Sequence, residues 1–360
     1  MKILIITNHS YMLYRFRWEL IAELQKKHEV VLSMPFVGHE DDFKAMGLRC
    51  INTDIDRRGI NPKTDLKLLK NYWSMLKNEK PNLVITYSVK PNIYAGIACS
   101  MMYIPFCANV QGLGTAFQRK GLAKFVTVLY KTALKKAKVV FFENEGNAQE
   151  FIDRKILLRK KITVLPGAGI NFDSYPLMPY PENNEVHFLY LGRIMKEKGI
   201  DELFTAMRRL YNELGGKVKL DLVGFFDDDY EAEVNSLVKD GIAVFHGFQT
   251  EPKPYYAAAD WVVLPSYHEG LSNVLLEAAA IGRPVITSNI NGCKEAVNDN
   301  ETGLLCRVKD ADDLYEKMLK MTQLTRSGRE AMGLAGHKKV KQEFEKNMVV
   351  RKTIEAIFRK

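Results

Sequence analysis

Short apolar runs alternate with longer stretches of helical period along this chain. In the first half, residues 3–6, 29–33, 83–86, 106–110 and 139–142 are short and rich in Ile, Val, Leu and Phe. Such runs predict strands buried on both faces. Between them, residues 16–27, 64–78, 93–102, 122–136 and 147–154 carry apolar positions at helical spacing. A second series of apolar runs occupies 186–191, 219–223, 243–245, 261–264, 285–287 and 303–306, again with helical segments between. Strand and helix in alternation predict parallel sheets wrapped by helices, so the pattern reads as two Rossmann-like, doubly wound α/β domains. Three prolines in Tyr175-Pro176-Leu177-Met178-Pro179-Tyr180-Pro181 mark the linker, and Pro166-Gly167-Ala168-Gly169 supplies a hinge-like turn before it. The expected division is 1–172 and 173–344, with a last helix in 345–360 that bears an apolar stripe.

At 360 residues the chain exceeds one ordinary core and suits two. Charge sharpens the division. Residues 1–170 hold 27 Lys and Arg against 14 Asp and Glu, and the remainder 25 against 29. No nucleic-acid motif accompanies the basic half, so an anionic membrane surface or a phosphate-bearing acceptor fits it better than nucleic acid, and a solvated basic face with no partner fits the charge equally well. The segment 119–138 is basic and amphipathic, with Phe125, Val126, Val128, Leu129 and Tyr130 among its lysines, and fits either a lipid surface or an ordinary sheet-packed helix. The five cysteines are widely spaced and read as packed, reduced thiols of a cytoplasmic protein. The stretch 93–104 is too short to span a bilayer. No Gly-x-Gly-x-x-Gly follows the first strand, which argues against a dehydrogenase.

The most informative chemistry lies in Ser266-Tyr267-His268-Glu269-Gly270-Leu271-Ser272-Asn273-Val274-Leu275-Leu276-Glu277-Ala278. Ser272 and Asn273 offer N-cap chemistry to a helix running to about 281. The free N–H groups and dipole of its first turn suit a phosphate. Glu277 falls about 7 Å further along the helix axis, at ~1.5 Å per residue, where it suits a ribose hydroxyl. Glu269, on the loop before the helix, suits a group on the other side of a diphosphate. The loop opens at the carboxyl end of a strand, where open α/β sheets bind ligands.

The run Pro-Ser-x-x-Glu-Gly followed by Glu277-Ala278 and Gly282-Arg283-Pro284-Val285-Ile286 resembles the signature of glycosyltransferase family 4, retaining enzymes of the GT-B fold that use nucleotide-sugar donors. Gly192-Arg193-Ile194-Met195-Lys196-Glu197-Lys198-Gly199 resembles the family's second motif. The resemblance implies two domains facing across a cleft, with acceptor bound by the first, donor by the second, and the last helix packed back on the first. It implies a catalytic set of Glu269 at the donor sugar with Arg193 and Lys198 on the diphosphate. Glu277, Gly270, Ser272, Asn273, Val274, Leu275, Gly192 and Phe248 complete the implied donor site, with backbone near His246-Gly247-Phe248 meeting the nucleobase. Cations beside the leaving phosphate stabilise the charge that builds there, so no metal or other cofactor is expected. Asp227-Asp228-Asp229 has the look of a metal motif, but reads as helix-capping carboxylates in a loop.

Phe16-Arg17, Lys90-x-Asn92, Gly112-Leu113-Gly114 and Asn291-Gly292-Cys293-x-Glu295-Ala296 are similar to the capsule and lipid-linked-oligosaccharide branch of the family, which includes PglA-type N-acetylgalactosaminyltransferases. That likeness implies Asn8, Arg17, Lys90, Asn92, Gly112 and Gly114 as acceptor-binding residues. It implies transfer of a hexose or N-acetylhexosamine, from UDP, to a lipid-diphosphate-linked glycan at the inner face of the cell membrane. Val89 stands where that branch carries histidine, so no role is transferred to this position. A sugar-nucleotide epimerase and a non-catalytic sugar-nucleotide or membrane-binding scaffold are the alternatives.

Overall fold

The computed structural model describes residues 1–56, 61–113, 117 and 120–359. The chain forms two compact units, Met1–Gly169 with Asn347–Lys360, and Ile170–Lys346.

The first unit runs β1 (Lys2–Ile6), α1 (Ser10–Gln25), β2 (Glu29–Met34), α2 (Glu40–Ala45), β3 (Arg49–Asn52), α3 (Pro62–Glu79) and β4 (Leu83–Tyr87). A π-helical turn, Pro91–Ala95, leads into α4 (Gly96–Met101), followed by β5 (Phe106–Val110), α5 (Lys120–Leu134), β6 (Val139–Phe142), α6 (Glu145–Asp153) and β7 (Ile162–Val164). Its seven strands are all parallel, in the order β3-β2-β1-β4-β5-β6-β7. The near-continuous apolar strands follow from helices covering both faces.

The second unit runs β8 (Val186–Leu191), α7 (Ile200–Glu213), β9 (Val218–Val223), α8 (Glu231–Lys239), β10 (Ala243–Gly247), α9 (Lys253–Ala258) and β11 (Trp261–Leu264). It continues through α10 (Asn273–Ile281), β12 (Val285–Ser288), β13 (Gly303–Cys306), α11 (Ala311–Thr322) and α12 (Arg326–Glu343). Its six parallel strands are ordered β10-β9-β8-β11-β12-β13. The final helix, α13 (Lys346–Phe358), lies almost wholly in the first unit, where Val350, Ile354 and Ile357 pack with Ile3, Ile5 and Ile21.

In both sheets the strand order reverses beside the first strand, between β1 and β4 and between β8 and β11. The carboxyl ends of the strands beside such a reversal are the usual ligand position in this architecture. Cys99, Cys107, Cys293 and Cys306 are buried. Burial pushes Cys99, Cys107 and Cys306 up to about 12, so they are packed thiols and not nucleophiles. Among the described residues no helix is long and apolar enough to cross a membrane.

Candidate active site

The loops after β8 and β11 flank the switch point of the second sheet, and the two carry the charged groups of both motifs. After β8 the chain turns through Gly192 to Arg193 and Ile194, then makes a short 3-10 turn, Lys196–Lys198. Gly199 ends that turn at φ 72°. A Cβ on Gly199 would lie 2.1 Å from the Pro265 carbonyl oxygen, so glycine alone lets the β8 and β11 loops touch. The Tyr267 N–H donates to the Glu197 carbonyl at 2.9 Å and ties them together.

That seam brings Lys198 and Glu269 into a single ion pair, Nζ to Oε1 2.5 Å, both largely shielded from water. Ser266 Oγ donates to the same carboxylate oxygen at 2.9 Å. Glu269 is thus held in one orientation by two side chains, one from its own loop and one from the β8 loop. Arg193 is exposed, and its Nη1 meets Asp227 Oδ2 at 2.6 Å. Asp228 accepts from the Lys196 N–H at 2.9 Å.

The acidic run therefore does not cap α8, which starts at Glu231 after Tyr230; Asp227 and Asp228 instead brace the β8 loop. This corrects the capping expectation. Among the described residues there is no group of three or more His, Cys, Asp or Glu placed to hold a metal ion.

The helix α10 begins at Asn273 with Ser272 as its N-cap residue, but the serine side chain makes no capping hydrogen bond. Local sequence thus set the position of the cap and not its bonding. The Ser272 N–H instead donates to the Gly292 carbonyl at 2.9 Å. Gly270, Asn273 and Val274 are half-buried, while Ser272 and Leu275 are buried. Glu277, the fifth residue of α10, is 5% exposed, and Tyr256 Oη donates to its Oε2 at 3.0 Å. Gly192 N–H donates to Val223 O at 2.9 Å and Phe248 is exposed at the end of β10. Sequence reasoning gave Ser266, Asp227 and Tyr256 no part in holding Glu269, Arg193 or Glu277; those partners lie 3, 34 and 21 residues away.

In the first unit the predicted acceptor residues fall into two groups. Asn8 and Gly112 are half-buried in the loops after β1 and β5. Lys90 is paired with Asp65 at 2.8 Å, and both line a cavity of about 870 Å³ beside α3 and β3. Arg17 and Asn92, by contrast, are interior. Arg17 pairs with Glu143 at 3.0 Å and its guanidinium faces the Tyr87 ring at 5.3 Å. Asn92 accepts from Thr86 Oγ1 at 2.6 Å and donates to Asn109 O at 2.8 Å, with 1% of its surface exposed. The Arg17–Glu143 pair and the Asn92 bonds to Thr86 and Asn109 tie together the ends of β4, β5 and β6. Gly114 lies outside the described residues.

Family models match segments in both units of the chain. Residues 2–144 match a family model described as glycosyl transferase 4-like, and residues 185–323 one described as glycosyl transferases group 1. The chain is 29% identical, over 88% of its length and 88% of the relative's, to the N,N'-diacetylbacillosaminyl-diphospho-undecaprenol alpha-1,3-N-acetylgalactosaminyltransferase of Campylobacter jejuni. It is also 29% identical to the capsular polysaccharide biosynthesis glycosyltransferase CapM of Staphylococcus aureus, over 81% of this chain and 80% of that one. The crystal structure of Anabaena HepE in complex with UDP-glucose superposes with a TM-score of 0.81 over 99% of each chain at 16% identity, a likeness of fold.

Proposed function

Because the chain belongs to the family 4 glycosyltransferases, with the GT-B fold, we propose that it transfers a hexose or N-acetylhexosamine, with retention, from UDP to a lipid-diphosphate-linked glycan. The observation that carries this reading is the Lys198–Glu269 pair at the strand-order reversal, with the exposed Arg193 guanidinium on the same loop as Lys198. The Campylobacter relative acts on an undecaprenol-diphosphate sugar, and HepE was crystallised with UDP-glucose. Both support the substrate classes named.

In this reading the donor diphosphate lies against Arg193, Lys198 and the first turn of α10, whose N–H groups Ser272 leaves uncapped. Glu269 faces the donor sugar and Glu277 the ribose. As the bond from the anomeric carbon to the diphosphate oxygen breaks, the electron pair stays with that oxygen. Arg193 and Lys198 stabilise the charge there, which lowers the barrier without a metal. The acceptor hydroxyl adds to the same face of the anomeric carbon, and its proton passes to the departing phosphate. Asn8, Lys90 and Gly112 of the first unit hold the acceptor, with Arg17 and Asn92 shaping the loops. The exposed Phe125 and Val128 of α5, among Lys124 and Lys131, rest on anionic lipid at the cytoplasmic face of the cell membrane.

Release of UDP from a panel of UDP-sugars, with and without a membrane lipid extract, tests the reading. The extract is expected to raise release severalfold, and Glu269→Ala to abolish transfer while leaving the melting temperature near that of the parent. Full transfer by Glu269→Ala refutes the assignment.

A further inference from the structure

The cavity that Lys90 and Asp65 line extends well beyond their corner of the first unit. Its lining follows α3 from Thr64 to Glu79, about 22 Å at ~1.5 Å per residue, with β3 and the loop after it as the opposite wall. Its volume of about 870 Å³ falls among those of small-molecule sites, ~300–1,000 Å³. On the helix side Thr64, Lys67, Asn71, Met75 and Asn78 recur at spacings of three and four and form one face of α3. Of Asn8, Arg17, Lys90, Asn92 and Gly112, only Lys90 lines it, so the cavity is distinct from the loops after β1 and β5.

The charges of the lining largely cancel. Lys90 is paired with Asp65 at 2.8 Å, both shielded from water. At the other end Arg49 holds Glu79 through both terminal guanidinium nitrogens, at 2.6 and 3.0 Å. The remaining charged residues, Lys67 against Asp54 and Asp56, leave the wall slightly acidic. A diphosphate is recognised by cations aimed at it, and this wall does not suit one. A hydrocarbon chain does not suit it either, because Asn52, Asn71, Ser74 and Asn78 would lose water without gaining partners. Between these polar groups lie Ile51, Ile55, Leu68 and Met75, so the surface alternates hydrogen-bonding and apolar patches. Tyr72 belongs to the same wall. It is 0% exposed, and its hydroxyl has no hydrogen-bond partner. Buried hydroxyls in folded proteins are nearly always paired, so this one marks a place for a polar group from outside the chain.

We propose that this cavity is a saccharide site, which holds an uncharged stretch of glycan apart from the sugar that receives transfer. A neutral sugar presents hydroxyls that donate and accept, beside small apolar C–H faces. Asparagine side chains also donate and accept, and the aliphatic residues between them meet the C–H faces. The Tyr72 hydroxyl supplies a partner for a sugar hydroxyl deeper in the wall. No unpaired cation is required, which fits the two closed ion pairs at the ends of the cavity. The proposal rests on the lipid-linked-glycan reading above only for the source of the saccharide, and adds to it a site along α3 and β3.

The test is calorimetric titration of maltotriose, galactotriose, chitotriose, inorganic diphosphate and UDP into the full chain. The parent is compared with Tyr72→Phe and with the double variant Asn71→Ala, Asn78→Ala. At least one trisaccharide is expected to bind the parent saturably, with or without UDP present. A lost hydrogen bond between neutral groups corresponds to a roughly 2- to 12-fold weaker affinity. Tyr72→Phe weakens the trisaccharide by that order and the double variant by more, while UDP affinity is unchanged in both. Melting temperature separates binding from folding. Tyr72→Phe removes a hydroxyl that has no partner in the unliganded chain, so it leaves melting unchanged or raised. The asparagines are exposed on α3, and their loss leaves melting near that of the parent. No saturable trisaccharide binding, or parental affinity in both variants, overturns the site. Diphosphate binding that the double variant weakens equally assigns the cavity to an anion and overturns it too. UDP binding without trisaccharide binding refutes this site and spares the donor reading. Trisaccharide binding without UDP binding upholds the site and counts against the transferase reading.

Discussion

Gly292 sits behind the candidate sugar-facing loop, and a single methyl group added there tests how tightly that loop is placed. At φ 90° its backbone is in the region that favours glycine. A Cβ would lie 2.5 Å from the Gly270 carbonyl oxygen and 2.7 Å from that of Glu269, where ordinary contact begins near 3.4 Å. Gly292 is not free to retreat. Its N–H donates to Glu295 Oε2 at 2.7 Å and its carbonyl accepts from Ser272 N–H at 2.9 Å, at the start of α10. The Glu269–Gly270 backbone therefore moves instead, by something approaching 1 Å, and a displacement of about 1 Å in a reacting group costs on the order of 100-fold in rate. Left-handed backbone strain adds about 1–2 kcal/mol to the stability cost.

Gly215→Ala is the matched control. It has φ 59° in the same unit but nothing within 4 Å of its Cβ, so it carries the strain without the clash. Transfer of sugar from a UDP-sugar and thermal unfolding are measured on both variants. Gly292→Ala is expected to lose about 100-fold in kcat, and Gly215→Ala only a few degrees in melting temperature. Parental activity in Gly292→Ala, or equal inactivation of both variants, refutes the reasoning.

Two further outcomes follow from the second unit. Arg283 is 1% exposed and donates to the carbonyls of Tyr256, Ala257, Met178 and Pro179. Arg283→Met orphans these acceptors and is expected to cost about 3–5 kcal/mol, seen as a drop of roughly 10 °C in calorimetric melting; a change under about 2 °C counts against it. The hydrogen bond that His187 donates to Asp221 outweighs burial and raises the His187 pKa above its ordinary 6.5. Its stabilisation is therefore complete below about pH 6.5 and is lost as pH rises through the higher folded value. Melting temperature followed from pH 5.5 to 8.5 is expected to fall in the parent and to flatten in Asp221→Asn; parallel curves contradict the linkage.

The doubly wound architecture was legible because parallel strands covered on both faces are apolar throughout, as in β5 and β11. Strand β3 was not, because an edge strand reading Arg49-Cys50-Ile51-Asn52 is only half apolar. The start of α1 was placed at residue 16 rather than Ser10, since its N-cap is His9, whose ring nitrogen accepts from the Tyr11 N–H, a less familiar cap. At the site, Arg193, Lys198 and Glu269 announced themselves by motif. The partner Asp227, the His246 bulge and the exposure of Phe225 depend on strand register and loop contact, which no local window of sequence contains; Ser266, three residues from Glu269, lay within reach of one. The burial of Glu277 likewise reflects Tyr256, packed from a different helix.

The return of α13 to the first unit gives the molecule an order of completion. On a ribosome the first unit emerges first, yet part of its packing, around Ile3, Ile5, Ile21 and Ile357, waits for the last residues to be made. At ~5–20 residues per second the intervening segment from Ile170 to Lys346 takes about 10–35 s to synthesise. The second unit is contiguous and meets no such delay. Synthesis therefore finishes the later half before the earlier one. A stop codon shortly before Asn347 leaves the damage in the half encoded first.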